Sequence, residues 1–329
     1  MTHPPPPPDA STEAPPAGPS STVTPAPGGS AAGSAESVFR CAAAAELRGD
    51  SLIATAPPAA RWLLIECRVP WPRIALNALA PSPGSGVQHL REEVTRLCSS
   101  AGIRPVLIRR HGRIDHTTPR RWALIDSRPG QESIQWGDLP TDEHLLDVLA
   151  GTAPGTPSTE PIYLICTHGR HDTCCAIRGR PAAAALTAAH PDRTWECSHI
   201  GGDRFAANLV FLPHSLFYGH VPESRAVELA TQYDKGLVVP ELLRGSGALP
   251  QPAQAAQHFA RQSGLSLAVD ALTPLKIQEL SPNHWQVHLD NNGHPHELEV
   301  AVTHVTINTP MTCSAQPPGQ LHQYTLVPR

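Results

Sequence analysis

The stretch CTHGRHDTCCAIRGRP, residues 166–181, sets Cys166, Cys174 and Cys175 beside His168, His171 and Asp172. A second short cluster, CSHIGGD, adds Cys197, His199 and Asp203. Thiolates from one loop and an imidazole from the other suit zinc or an iron–sulfur cluster, since both take soft and borderline ligands. Two other chemistries compete for the same residues: thiol catalysis and an ordinary core of buried cysteines. A thiol oxidoreductase would work through Cys174–Cys175 or Cys166, but the pair of cysteines separated by two residues at a helix start is absent. The remaining cysteines, Cys41, Cys67, Cys98 and Cys313, are scattered, and each reads as a small buried apolar residue.

The 329 residues suffice for two domains, each with its own core. A net charge of −4 offers no electrostatic footprint for DNA or RNA, so no nucleic-acid partner is expected. Residues 1–37 are rich in Pro, Ala, Ser and Gly, and read as a disordered tail, polyproline-like at Pro4 to Pro8. That segment lacks the basic start and apolar stretch of a secretory signal, and no later window is long enough to span a membrane. A cytoplasmic protein is expected. In that reducing compartment the eight cysteines are free, catalytic or metal-bound rather than paired.

The elements that must position the ligands follow from periodicity. Arg61 to Glu66 reads as a buried strand, and apolar residues at 87, 90, 94 and 97 give a helix stopped by Gly102. IRPVLIRR and RWALIDSR read as strands, and TDEHLLDVLAG as a helix capped by Thr141 or Asp142. These make an N-terminal α/β domain, 38–150, and GTAPGTPSTEP at 151–161 reads as a linker. In 162–236, IYLIC ends at Cys166 and Pro181 opens a helix through PAAAALTAAH. RTWECSHI, a hairpin around Pro213 to Ser215 and a helix from Pro222 to Gly236 complete β-α-β-β-β-α, the element order of a thioredoxin-like fold. The parallel between LLIEC plus helix and YLIC plus helix suggests that the first domain is a degenerate duplicate. Residues 237–329 read as a small α+β extension, with a hairpin turning at Asn292–Gly293 and five histidines (His284, His288, His294, His296, His304) on surfaces and turns. The fold class is therefore α/β.

The block CTHGRHDTCCAIRGRP followed by CSHIGGDRFAANLVFLP…YGHV closely resembles the sucrase/ferredoxin-like family, a branch of the thioredoxin-like ferredoxins. RWLLIE…PW, RPVLIRR, DSRPG and the terminal TCSAQ…YTLV are similar to bacterial members, so the resemblance runs from about residue 38 to the end. It implies a [2Fe–2S] cluster held by two cysteines with eight residues between them and two histidines with three between them. Carried over, Cys166 and Cys175 are the cysteine ligands and His199 the first histidine. The second histidine falls on Asp203, a departure from the pattern. Either Asp203 is an oxygen ligand, or Cys197 or Cys174 supplies the fourth, or no cluster binds and the fold persists alone. His168 and His171 are loop histidines that a metal could also use.

The resemblance implies an electron carrier that passes single electrons to a redox protein, with no catalytic residue of its own. A zinc-stabilised binding module and a thiol oxidoreductase are the alternatives on this scaffold. Sucrase activity has no support, because no carboxylate pair is placed to flank a sugar. Imidazole in place of thiolate raises a cluster's potential, and a carboxylate returns one negative charge. Two cysteines, one histidine and one aspartate should therefore be less oxidising than two cysteines and two histidines, and should couple at most one proton per electron. Around the ligands, Asp172 caps the helix or braces the loop, Arg178 and Arg204 offer positive charge, Gly201 and Gly202 admit close backbone approach, and Asn208 bonds the ligand loop. Arg170 and Arg180 are either solvated or face an acidic partner.

Overall fold

The computed structural model describes residues 39–113 and 115–328; the tail expected over 1–37 lies outside them. After helix α1 (Cys41–Arg48) comes β1 (Arg61–Glu66), α2 (Leu90–Ser100), β2 (Ile103–Arg109), β3 (Arg121–Asp126), β4 (Ser133–Asp138) and α3 (His144–Ala150). β5 (Thr156–Ser158) leads to β6 (Ile162–Cys166), α4 (Thr173–Ala189), β7 (Thr194–Cys197), β8 (Leu209–Leu212), β9 (Leu216–Tyr218), α5 (Glu223–Asp234) and β10 (Leu243–Ser246). β6 is buried along its whole length and β1 at every residue but Arg61. Such unbroken apolar runs belong to strands covered on both faces.

The ten strands form one sheet, in which two halves repeat one strand order. β1 runs parallel to β2 and antiparallel to β3, which pairs with β4. β6 likewise runs parallel to β7 and antiparallel to β8, which pairs with β9. The halves join antiparallel through β2 and β7 by only two registered pairs, Ile108 with Cys197 and Arg109 with Glu196.

Side chains alternate across the sheet with the period of two that strands impose. Leu63, Ile65 and Leu107 pack with Leu90, Val94 and Cys98 of α2 and Leu145 and Val148 of α3. Tyr163 and Ile165 pack with Ala182, Ala183 and Leu186 of α4 and Ala226 and Leu229 of α5. The opposite face gathers Trp62, Leu64, Ile108, Leu164, Cys166, Trp195 and Cys197 into one core. There Trp136 stacks on Trp195 at 5.6 Å and Trp62 on Phe217 at 5.9 Å, so strands of the two halves meet across a curled sheet. Each such buried large apolar side chain contributes roughly 1.5–3 kcal/mol.

A separate antiparallel sheet follows α6 (Gln251–Gln262): β11 (Thr273–Ser281), β12 (His284–Asn291), β13 (His294–Ile307) and β14 (Gly319–Leu326). Ala255, Ala256 and Ala260 of α6 pack on Val287, Leu289, Leu298 and Val300. The turn at Asn292–Gly293 has φ of 55° and 84°, as its sequence predicts.

Five expectations change. Pro181 does not open a helix: α4 begins eight residues earlier, capped by the Asp172 carboxylate, which accepts the Cys174 N–H at 2.8 Å, and Pro181 lies inside it. Neither Thr141 nor Asp142 caps α3; the Asp142 carboxylate takes the Arg120 guanidinium and the Ala80 N–H instead. β4 is an added strand, whose alternation of buried Ile134 and Trp136 with exposed Ser133 and Gln135 is a readable strand pattern. KIQELSPNHWQVHL is two strands, β11 and β12, turning at Asn283 with φ of 66°. Within 151–161, residues 156–158 pair with β4 as the sheet's last strand.

Candidate metal centre

β6 and β7 lie side by side and parallel, with Cys166 in register with Cys197, so the loops leaving their C-terminal ends emerge together. Cys166 is the last residue of β6, and Cys175 lies in the first turn of α4. His199 and Asp203 follow β7. The Cys166 and Cys175 sulfurs and a His199 ring nitrogen all lie within 4.8 Å of one another, and His199, Asp203 and His171 form a second such group. Asp203 Oδ1 is 3.2 Å from Cys175 Sγ and 3.0 Å from His199 Nδ1. The predicted set of Cys166, Cys175, His199 and Asp203 is thus brought together.

Close approach of α4 to this strand end needs Gly179, where a Cβ would stand 2.1 Å from the Cys166 carbonyl oxygen. Gly202, with φ of 83°, faces Arg244 rather than the ligands: a Cβ there would meet the guanidinium at 2.6 Å. Arg244 is buried and holds this turn by donating to the Gly201 carbonyl at 2.9 Å and to Asn208 Oδ1 at 2.7 Å. Asn208 Nδ2 in turn donates to the Gly202 carbonyl at 2.8 Å. His168 is buried, its Nε2 against the Pro72 carbonyl at 2.8 Å and its Nδ1 accepting the His199 N–H at 3.3 Å. Ser198 exchanges hydrogen bonds with both backbone groups of Leu107, stitching the second ligand loop to β2.

His199 Nδ1 is buried, and although Asp203 Oδ1 is close, the direction is wrong for a hydrogen bond and the nitrogen has no hydrogen-bond partner. A contact this short suits either two ligands of one ion or an imidazolium–carboxylate ion pair. The His171 and His199 rings stack at 3.7 Å, with His171 Nε2 3.6 Å from Asp203 Oδ2. The donors are sulfur, imidazole and carboxylate, a set that fits zinc and iron alike.

Electrostatics divide the four residues, favouring the ionised forms of Cys166 and Asp203 but the protonated forms of Cys175 and His199. The hydrogen bond from Cys175, against the cost of burial and aided by His199, pulls the Cys166 thiol well below its usual range. Cys175 moves the other way, raised by that same bond and by burial. Burial works against a charged His199, yet Asp203 and Cys166 outweigh it and raise the imidazole to about 9. Burial also opposes ionisation of Asp203, but His171 and His199 hold its carboxyl well below the usual carboxylate range. Two cations, the half-buried Arg104 and the buried Arg244, are both lowered chiefly by burial and partly sustained by the field of Cys166.

The alternative fourth ligands lie elsewhere. β7 ends at Cys197, so the extended geometry that would carry Cys197 and His199 on one side stops before the histidine. Cys197 is buried beside Cys166, burial raises its thiol, and it belongs to no metal-capable group among the described residues. Cys174 points to a different cluster with Cys41, Cys313 and Asp172. Cys41 is buried, as expected, in a small apolar cluster with Ala42, Cys174 and Ala206, against which the half-buried Cys313 packs, and Cys67 and Cys98 pack in the core with α2. Arg178 pairs with Glu46 of α1 and reaches the Ala206 carbonyl at 3.4 Å. Arg204 pairs with Asp50 at 3.2 Å, and Arg170 and Arg180 are exposed. Sequence reasoning missed Arg104, Arg244 and Pro72, because each acts on the site from a distant segment without a local motif, and Ser198, whose partner Leu107 is distant.

The fold and the site define a mixed α/β protein with a buried Cys, His and Asp centre able to bind a metal. The profile of the sucrase/ferredoxin-like family matches residues 52–245, which include all four ligand candidates, and the chain belongs to that family. It is also similar to altered inheritance of mitochondria protein 32 of Meyerozyma guilliermondii, 31% identical over 98 residues that cover 26% of this chain and 35% of that protein. The chain thus matches about a third of that relative's length. No solved structure matches it. Among the described residues no helix is long and apolar enough to cross a membrane.

Proposed function

We propose that this chain is an electron-transfer protein whose second half, 162–236, is a thioredoxin-like ferredoxin domain. The observation that carries the reading is the convergence of Cys166, Cys175 and His199 within 4.8 Å, with Asp203 against both His199 and Cys175. Held by these four residues, a [2Fe–2S] cluster would supply reversible transfer of one electron. The residues around them serve that use. Arg104 and Arg244 place positive charge behind an anionic centre, where burial strengthens each interaction. Gly179 and the capped start of α4 fix Cys175 against Cys166, and His168 orients the His199 backbone. The His199 and His171 side chains are 22% and 33% exposed, so the stacked imidazoles form the face at which a partner redox protein docks. His199 is the one ligand imidazole that can hold a proton coupled to the electron.

Zinc at the same residues is the second reading, favoured by how closely Cys166, Cys175 and His199 crowd one point. Anaerobic purification separates the two. The expected outcome is a coloured protein with two irons and two acid-labile sulfides per chain, giving a paramagnetic signal on one-electron reduction with nitrogen coupling from His199. A colourless protein with zinc at Cys166, Cys175 and His199 overturns the electron-carrier reading.

A further inference from the structure

The adjacent cysteines of the Cys174–Cys175 pair face different sites. Cys175 joins the centre described above, while Cys174 Sγ stands 3.4 Å from Cys313 Sγ, which stands 3.6 Å from Cys41 Sγ. Both Asp172 carboxylate oxygens lie 3.6 Å from Cys41 Sγ. Cys41, Cys174 and Asp172 are buried and Cys313 is half-buried. The four residues come from the start of α1, the start of α4 and the connection between β13 and β14, segments 131 and more residues apart. We propose that Cys41, Cys174, Cys313 and Asp172 form a second, structural metal site that takes a thiophilic divalent cation, zinc.

The dimensions suit that ion. With Zn–S near 2.3 Å and Zn–O near 2.1 Å, tetrahedral angles put neighbouring sulfurs about 3.8 Å apart and sulfur to oxygen about 3.6 Å apart. The Cys174–Cys313 and Cys313–Cys41 sulfur separations need to widen by only a few tenths of an ångström, the distance from Cys41 Sγ to Asp172 already matches, and all four ligand atoms lie within 4.8 Å of one another. An apolar plug of thiols would explain the burial but not a carboxylate turned onto them: Asp172, besides capping α4, holds both its oxygens 3.6 Å from Cys41 Sγ. Among the described residues no Lys, Arg or His pairs with Asp172. Arg178, whose field reaches Cys41 and Cys174, is engaged by Glu46 and the Ala206 carbonyl. The N–H groups of Cys174 and Cys313, at 2.8 and 2.7 Å, instead fix the two Asp172 oxygens, as outer hydrogen bonds orient a metal-binding carboxylate. On binding, three thiol protons pass to water as three Zn–S bonds form, and no oxidant is needed.

The test is elemental analysis and zinc K-edge absorption on the full-length protein, purified anaerobically from zinc-supplemented cells. One zinc per chain is expected, with three sulfurs near 2.3 Å and one oxygen near 2.1 Å in its shell. In Cys313→Ser, at the least buried of the three cysteines, zinc should fall at least tenfold while iron at the first centre is unchanged. Wild-type protein without zinc, zinc undiminished in Cys313→Ser, or a Cys174–Cys313 disulfide in the purified chain would each overturn the proposal. If Cys313→Ser does not fold, the wild-type absorption shell decides alone. Because iron and zinc are counted separately, failure of this site and failure of the electron-carrier reading give different results.

Discussion

The two halves of the ten-stranded sheet share strand order and pairing sense but not chemistry. Where β6 ends in Cys166 and opens a ligand loop, β1 ends in Glu66, which takes the Arg68 guanidinium at 2.7 Å and the Arg121 N–H at 3.0 Å. Cys67, one residue on, is buried with its sulfur 4.0 Å from the Val69 carbonyl, and burial raises its thiol. The first half contributes support: Arg104 is sustained by the fields of Cys197 and Cys166, Pro72 holds His168, Leu107 holds Ser198, and Arg109 bonds Glu196 at 2.8 Å. One strand order thus carries the candidate site in one half and its scaffold in the other. Function resides in the residues placed on a fold rather than in the fold.

The sharpest way to break that contrast is to remove one sulfur from each half. Cys175→Ala should lose the metal, with bound iron falling more than tenfold in purified protein. Cys67→Ala should keep iron within twofold of wild type and lose about 1 kcal/mol in urea denaturation. Equal iron loss in both variants would mean that the halves are not divided as described.

Helix approach gives the next effect. Gly179→Ala should cost about 2–3 kcal/mol, because its methyl collides with the Cys166 carbonyl that the helix lies against. Ser99→Ala, exposed on α2 in the other half, should change stability by less than about 0.5 kcal/mol. Denaturation midpoints at a common slope measure both.

A smaller effect sharpens the ligand assignment. Asp203→His replaces an anionic ligand by a neutral one and should raise the reduction potential. The wild-type potential should fall with pH by at most about 59 mV per unit, as one proton per electron requires. A steeper slope in Asp203→His alone would assign the second proton to the added imidazole, whereas a steep wild-type slope would remove Asp203 from the ligand set.

The gentlest effect is a pH dependence outside the ligand loops. His220 and His258 are both lowered, chiefly by burial. Below about pH 6.5 the unfolded chain gains protons that these buried rings refuse. Their contribution to stability is therefore present above that pH and is lost as pH falls through their depressed values. Urea midpoints from pH 8 to pH 5 should decline, and should decline less in His220→Asn/His258→Gln.

Much of this organisation was legible in the chain. Strand boundaries such as 61–66 were readable because apolar runs are local, and the candidate ligands at 166, 175, 199 and 203 came from the resemblance of their block to the sucrase/ferredoxin-like family. The start of α4 was not, because a proline suited to a first turn competed with an aspartate cap upstream, and the cap prevailed. Arg244 was not legible either, since its worth depends on Thr55, Gly201 and Asn208 meeting around it. Cys41 and Cys313, 272 residues apart, read as unrelated until folding set their sulfurs 3.6 Å from each other.

The seam between β2 and β7 consists of two residue pairs, and one of its members, Cys197, is the neighbour of Cys166. Loading the centre and holding the halves together are thereby a single thermodynamic transaction: an ion gripped by the ends of β6 and β7 also raises the work of prising the sheet apart at its middle. Amide hydrogens at Leu107 and Ser198, which close that seam, should exchange more slowly in the loaded protein than in the stripped one. Occupancy would then be readable from solvent exchange alone, with no need to observe the ion.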